Sequence, residues 1–322
     1  MDIFLGIDTS CYTTSVMAMA ADGSAAGDER QLLAVRPGRC GLQQSEMVFQ
    51  HTRNLPRLLE QLFAGKDYRI AAVGVSARPR PLEDSYMPAF LAGLGAARSL
   101  AAAGRLPLYK LSHQENHMEA GLWSAGMPAS DAGRLLMLHA SGGTTDLLLC
   151  QRRGDGRYDI EQLGGSLDLH AGQFVDRIGV ALGLQFPAGP ALERLAEKAQ
   201  NMPEAHIELP VAVRGLNASL SGPASAAGRL LKSGAEPAAL ALGVQHALAK
   251  TFARLLRNAA AAYDVNDALL VGGVGSNKYI RRHVEAKLAK RQVRLWVPEG
   301  RFSCDNAAGC AAFARRMSME SR

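Results

Sequence analysis

The chain has 322 residues, 48% of them hydrophobic and 20% charged, with a formal net charge of +6. That balance excludes a disordered or fibrous chain and leaves room for two domains or two lobes sharing a cleft. No signal peptide precedes the first apolar residues and no apolar run reaches about 18 residues, so a cytoplasmic protein with no membrane span is expected.

The first element in chain order is a buried strand at residues 3–8, followed by the small polar turn Thr9-Ser10-Cys11-Tyr12-Thr13-Thr14 and a second strand at 15–20 that closes at Asp22-Gly23. Helical spacing of Met47, Val48, Leu55, Leu58, Leu59 and Leu62 predicts a helix over 45–62, and a second is predicted over 86–103. The opening pattern then recurs. An apolar strand at 135–140 leads into the turn Ser141-Gly142-Gly143-Thr144-Thr145, and a strand at 146–150 ends at Gly154-Asp155-Gly156. Each half thus opens with a hairpin whose turn is rich in Gly, Ser and Thr, a turn whose converging N–H and hydroxyl donors can cradle phosphate oxygens.

Helices are expected next at 171–182 and 191–199, then a long one over 237–263 with Val244, Leu248, Phe252, Leu255 and Leu256 on one face. A short strand at 268–271 runs into Gly272-Gly273-Val274-Gly275-Ser276-Asn277 and a helix over 278–290, and a closing helix is expected over 306–317. Strands alternating with helices predict an α/β protein. The five cysteines, Cys11, Cys40, Cys150, Cys304 and Cys310, show no close paired spacing and read as reduced thiols.

His113 and His117 stand four apart, so on a helix they share a face and can grip one transition ion. A zinc protease of the H-E-x-x-H type is excluded, because Gln114 follows the first histidine and Glu115 lies about 200° round the helix. Gly272 to Asn277 follows a strand and opens a helix, an arrangement that favours an anion or polar ligand edge, although it is not G-x-G-x-x-G. Asp305 precedes an Ala/Gly-rich helix and reads either as its N-cap or as a displayed ligand. Asp176, near the Pro187-Ala188-Gly189-Pro190 loop, reads either as a ribose ligand or as a solvated carboxylate.

Taken together, Gly6 to Cys11, His113-x-x-x-His117, Ser141-Gly142-Gly143, Gly164 to Asp176, Pro187 to Pro190, Gly272-Gly273-Val274 with Asn277, and Cys304-Asp305-Asn306 resemble the TsaD family in order and spacing. The resemblance implies the duplicated two-lobed fold of actin, heat-shock chaperones and sugar kinases (ASKHA). It places an N-terminal lobe with the His pair at 1–130. A C-terminal lobe with the adenosine site is placed at 131–322, its last helix closing near the first lobe.

It also implies His113, His117 and Asp305 as ligands of one iron or zinc ion. Asp176, Gly189 and Asn277 would sit at the adenosine, with Gly272 and Gly273 beside them, and His139, Ala140, Ser141, Gly142 and Gly143 at the phosphates or acyl group. Asp8, Ser10 and Cys11 of the first turn are the catalytic candidates. The implied reaction moves a threonylcarbamoyl group from its adenylate to adenosine 37 of tRNA, and related domains move a carbamoyl group. The expected cofactor is an ATP- or AMP-type adenine nucleotide, with magnesium a candidate companion. A TsaB-like subunit or a second copy of the chain is a candidate partner.

The chain also departs from the resembled pattern. Tyr12 and Thr13 stand where acids are usual, Thr144 where a histidine is, and Leu169 and Gln173 at further acidic positions. Ser221-Gly222-Pro223 lacks the following lysine, and Ser76-Ala77-Arg78-Pro79-Arg80-Pro81 replaces a glycine loop. Prolines should hold that loop extended, so that Arg78 and Arg80 could clamp a phosphate or carboxylate. Two readings follow: an acyl or carbamoyl transferase with altered handling of its substrate, or a non-catalytic nucleotide- and metal-binding paralogue. A sugar or acid kinase leaves the His pair unexplained.

Overall fold

A computed structural model describes residues 1–35, 42–128, 133–199 and 207–320. In chain order its elements begin with β1 (Asp2–Asp8), β2 (Thr13–Ala20), β3 (Ala25–Leu32), α1 (Gln44–Phe63), β4 (Arg69–Arg78), α2 (Phe90–Gly104), β5 (Leu108–Ser112) and α3 (His113–Ser124). Next come β6 (Arg134–Ala140), β7 (Thr145–Arg152), β8 (Tyr158–Ser166), α4 (Ala171–Ala181), α5 (Gly189–Glu197), β9 (Ala212–Arg214), β10 (Asn217–Ser219) and α6 (Ser221–Lys232). The chain continues through α7 (Pro237–Tyr263), β11 (Asp267–Val271), α8 (Lys278–Ala289), β12 (Arg294–Trp296), α9 (Gly300–Ser303) and α10 (Ala308–Glu320).

Two units result. The described residues of 1–126, 154–157 and 301–322 form one, and those of 127–153 and 158–300 form the other. The expected boundary at 130/131 lies outside the described residues, as does Cys40. Among the described residues, Cys11, Cys150, Cys304 and Cys310 form no disulfide.

The first unit carries a sheet in the order β3-β2-β1-β4-β5. The antiparallel hairpin β1–β2 is followed by parallel additions, β4 on β1 and β5 on β4. The second unit repeats that order as β8-β7-β6-β11-β12, with the same alternation of antiparallel and parallel pairs, and adds β10 and β9 beyond β8. The repeat read from the two hairpins is therefore a repeat of whole sheets.

Alternation along β1 divides its side chains between two faces. Ile3, Leu5 and Ile7 pack with Leu55, Leu58 and Leu62 of α1 and Ala97 of α2. Phe4 turns to the other face, with Met17, Ala72, Ala120 of α3 and the alanines 307, 308 and 311. On this second face the sheet offers glycine at two points. A Cβ on Gly6 would lie 2.2 Å from the Ala307 carbonyl oxygen, and one on Gly74 would lie 2.0 Å from that of Cys310. The Ala/Gly composition of α10 and these strand glycines have one cause: helix backbone and sheet backbone touch.

In the second unit the core joins Leu136, Leu138 and Ala140 of β6 to Phe174 and Ile178 of α4 and to Leu248, Phe252 and Leu255 of α7. The α7 helix spans the residues its spacing predicts. α2 starts at Phe90 rather than at residue 86, because Pro88 sits in the turn before it. α10 starts at Ala308, Asn306 acting before it.

Candidate functional site

Parallel strands point their carboxyl ends one way, and helices begin there. In the first unit β1 ends at Asp8, β4 carries Ser76 near its end, and β5 runs directly into α3 at His113. The start of α3 is fixed by a capping box: the Glu115 N–H donates to Ser112 Oγ at 3.2 Å and the Ser112 N–H to Glu115 Oε2 at 2.6 Å. Glu115 is thus occupied at the helix end.

One turn on, the His113 and His117 Nε2 atoms lie 3.2 Å apart. Asp305 Oδ1 lies 3.6 Å from the first and 3.4 Å from the second. Tetrahedral ligands about 2.0–2.1 Å from an ion are separated by about 3.4 Å, so the three donor atoms stand where ligands of one small ion would. Burial, with His117 beside it, pushes the His113 imidazole down to about 3, while Asp305 pulls the other way. A neutral imidazole is the ligating form. The donor set of two imidazoles and a carboxylate fits iron or zinc. Of the two readings left open for Asp305, the cap falls to its neighbour: Asn306 Oδ1 accepts from the Ala308 N–H at 2.7 Å.

Asn116, between the two histidines, ties these parts together. Its Nδ2 donates to the Asn306 carbonyl at 2.7 Å and its Oδ1 accepts from the Cys310 N–H at 2.9 Å. It is 1% exposed. Spacing alone gave no reason to single it out, although a buried Asn inside a His pair is a signal of such a brace. Asn116→Ala leaves two buried backbone groups unpaired. It should cost about 1–3 kcal/mol in urea unfolding and weaken metal binding by about 10–100-fold in competition with a chelator.

Asp8 is fully buried, accepting from Ser10 Oγ at 2.7 Å and from Ser76 Oγ. Burial raises its carboxyl to about 7, Asp305 adding to the rise and the two serines and His117 opposing it. The Cys11 thiol is pushed well above its ordinary value by burial, then by Asp305 and Asp8, so its sulfur stays protonated. The Cys11 carbonyl is what the surroundings grip: His51 Nε2 lies 3.1 Å from it. His51 Nδ1 lies 2.9 Å from Thr14 Oγ1, which also accepts from Asn54 Nδ2 at 3.3 Å. His51 and Asn54 are polar residues on the buried face of α1, a departure from amphipathic pattern that could have flagged them.

Tyr12 packs with Leu33, Met47 and Ala89, and Thr13 is buried at the start of β2. The loop after β4 is not extended as expected. It bends over 79–84, the Arg78 guanidinium donates to the Leu82 carbonyl at 3.2 Å, and Arg80 is exposed.

In the second unit β6 ends at Ala140 and β11, parallel to it, at Val271. The two following turns meet. Gly272, at φ +97°, lies where a Cβ would strike the Ala140 carbonyl oxygen at 2.3 Å, and the Val274 N–H donates to that oxygen at 3.0 Å. The turn at 141–144 is closed by Ser141 N–H to Thr144 O at 2.8 Å, and its Ser141 carbonyl accepts from Gly172 N–H at 3.0 Å. Gly142 and Gly143 face open space. His139 is buried beneath.

Asp176 Oδ1 accepts from the Ala188 N–H at 2.7 Å, next to Gly189. Asn277 caps α8 through Ile280 N–H to its Oδ1 at 2.9 Å, and Glu193 of α5 accepts from the Lys278 N–H at 2.7 Å. One end of this unit therefore gathers residues 139–143, 272–273, 176, 189 and 277. Asp8, Ser10, Cys11 and the cluster of His113, His117 and Asp305 belong to the first unit.

Two units repeating one sheet order define the class of actin, heat-shock chaperones and sugar kinases. The solved structure of full-length HypF in its phosphate- and nucleotide-bound form is similar to this chain with a TM-score of 0.60 and 12% identity, over 99% of this chain and 46% of that one. A ROK-family glucokinase from Streptomyces griseus is similar with a TM-score of 0.51 and 12% identity, over 98% and 99%. Within that class the family described as TsaD, tRNA N6-adenosine threonylcarbamoyltransferase, matches residues 45–312, and the chain belongs to it. A relative from Archaeoglobus fulgidus named tRNA N6-adenosine threonylcarbamoyltransferase is 31% identical over 307 residues, 95% of this chain and 88% of the relative. No helix among the described residues is long and apolar enough to cross a membrane.

Proposed function

We propose that the chain transfers a threonylcarbamoyl or carbamoyl group from an adenylate donor to tRNA, with adenosine 37 as acceptor, and holds one iron or zinc ion to do so. The observation that carries this reading is the convergence of His113, His117 and Asp305 in a member of this family. An ion bound there would polarise the donor carbonyl and stabilise charge developing on it. His113 brings a neutral nitrogen to that point beside His117 Nε2, and Asn116 braces the segment that bears Asp305. Asp8, with its carboxyl near 7, can hold or release a proton at neutral pH. A Cβ on Gly142 or Gly143 would meet nothing within 4 Å, so the outer side of this turn has room for phosphate oxygens, with magnesium a candidate companion there.

Asn277 and Asp176 each keep one polar atom beyond their structural bonds, the Asn277 amide donor and Asp176 Oδ2, for the adenosine. Asp176→Ala and Asn277→Ala should each weaken adenine-nucleotide binding by about 1–3 kcal/mol in calorimetry. Asn277→Asp, which keeps the α8 cap but loses the amide donor, should weaken it equally. Unchanged affinity in all three would move the nucleotide elsewhere.

A second reading, a divergent paralogue that binds nucleotide and metal without transfer, is favoured by Tyr12 and Thr13, which leave Asp8 as the carboxylate of the first turn. The deciding assay supplies tRNA, the donor-forming enzyme and a TsaB-like partner, and compares wild type with Arg78→Ala/Arg80→Ala. Modification of wild-type tRNA supports transfer, and its absence despite full metal and nucleotide occupancy supports the paralogue. Modification unaffected by the double substitution removes the arginines from substrate handling.

A further inference from the structure

The α8 helix carries a charge pattern that neither the metal triad nor the nucleotide turns use. Residues 278–291 hold six basic side chains, Lys278, Arg281, Arg282, Lys287, Lys290 and Arg291, and one acidic, Glu285: +6 − 1 = +5, against +6 for the whole chain. The helix buries the ridge Ile280, Val284 and Leu288. At 100° per residue, Arg282 falls almost opposite that ridge, with Lys278 to one side of it and Tyr279 and His283 on the other shoulder of the outer face.

Nearby cations are neutralised: Lys250 pairs with Glu208 at 2.6 Å and Arg294 with Asp267 at 2.8 Å. Among the described residues, Lys278, Arg282, Lys287, Lys290 and Arg291 are exposed and their side-chain cations pair with no carboxylate, the Glu193 carboxylate meeting only the backbone N–H of Lys278. On the shoulder the Tyr279 ring stacks on that of His283, centroids 4.1 Å apart at 25°, and His246 Nδ1 lies 2.9 Å from the Tyr279 hydroxyl. The rings are half-buried and held in place.

A line of unpaired cations alone would suit any polyanion. The fixed aromatic pair beside it narrows the choice, because exposed bases stack on such rings while their phosphates meet the cations. A lipid surface would ask for large apolar side chains on the outward face, which instead carries Ala286 and Ala289 among its charges. We propose that the outer face of α8, centred on Lys278, Tyr279, Arg282 and His283, is a contact surface for RNA. This goes beyond the transfer reading and rests on it only for the expectation that RNA is the substrate.

The test measures binding of the intact protein to a fluorescent tRNA transcript over a salt series, for wild type, Lys278→Glu/Arg282→Glu, Tyr279→Ala and Tyr279→Phe. The double reversal should weaken binding at least about 10-fold and reduce the slope of log affinity on log salt by about two. Tyr279→Ala should weaken it several-fold with the slope unchanged, and Tyr279→Phe should bind as wild type does. Metal content and urea midpoint, unaltered in all four, separate the result from misfolding. RNA affinity unchanged in the double reversal overturns the proposal. So does a double reversal that loses binding to phosphatidylserine vesicles while keeping RNA, or a silent Tyr279→Ala with equal losses toward heparin and RNA. A chain that binds RNA through α8 yet transfers no group sinks the transfer reading and leaves this one standing.

Discussion

Replacing His117 by alanine is expected to lower bound iron or zinc from about one ion per chain to near zero. The argument begins with geometry: three donor atoms separated by 3.2, 3.4 and 3.6 Å can share one ion, and two cannot enclose it. His117 is 1% exposed, so no mobile surface group is placed to substitute for it. Removing a partner that merely orients a ligand typically costs 10–100-fold in affinity, and loss of the ligand itself should exceed about 100-fold. His246→Ala, a histidine of the second unit, should retain the ion. Elemental analysis after gentle purification decides the matter. A metal-free wild type, or a His117→Ala protein with full occupancy, would end the assignment.

The second large effect is expected at Gly74. A Cβ there meets the carbonyl oxygen and carbon of Cys310 at 2.0 and 2.8 Å, and these are helix backbone atoms that cannot swing aside as a side chain could. α10 would have to lift from the sheet, loosening Phe4, Ala72, Ala307 and Ala311. Overpacking of this kind costs about 1–3 kcal/mol, and a forced backbone shift places Gly74→Ala at or above the upper end. Gly143→Ala, where a Cβ meets nothing within 4 Å, should stay within about 0.5 kcal/mol of wild type. The measurement is the urea midpoint. Because Asp305 lies just before α10, Gly74→Ala should also release the metal, whereas Gly143→Ala should not. Equal midpoints for the two variants would mean that α10 does not seat on the sheet as described.

Elements with strong periodicity were legible in the sequence: the two hairpins, α1 and α7 stand where spacing puts them. β3 was not, because Asp28, Glu29 and Arg30 lie in an edge strand and break any alternation of apolar and polar residues. α6 begins Ser-Gly-Pro, which reads as loop. Its first turn is instead held from a distance by Asp168, which accepts from Ser219 Oγ at 2.6 Å and the Leu220 N–H at 2.8 Å. The His pair was legible because four residues is one helical turn. Asp305 reached the site only through the family resemblance, since 188 residues separate it from His117 (305 − 117) and no local pattern spans such a gap. His51 and Asn116 were missed for a common reason: their partners, mostly backbone groups with Thr14 Oγ1 beside His51, lie in segments far away in sequence, which no motif records.

The placement of α10 has a consequence for how the protein comes into being. The strands it covers are made well before the helix itself, which follows only after residue 307. When a ribosome has delivered the chain up to residue 300, the face of the β1–β4 sheet that carries Phe4, Met17, Met19 and Ala72 still lacks α10. The His pair lacks Asp305 as well. The second unit, whose described segments all fall between residues 127 and 300, has by then been fully synthesised. Domains generally fold in the order in which they emerge; of these two units, the one begun earlier is completed last. An exposed apolar sheet face during that interval is what a nascent-chain chaperone would engage.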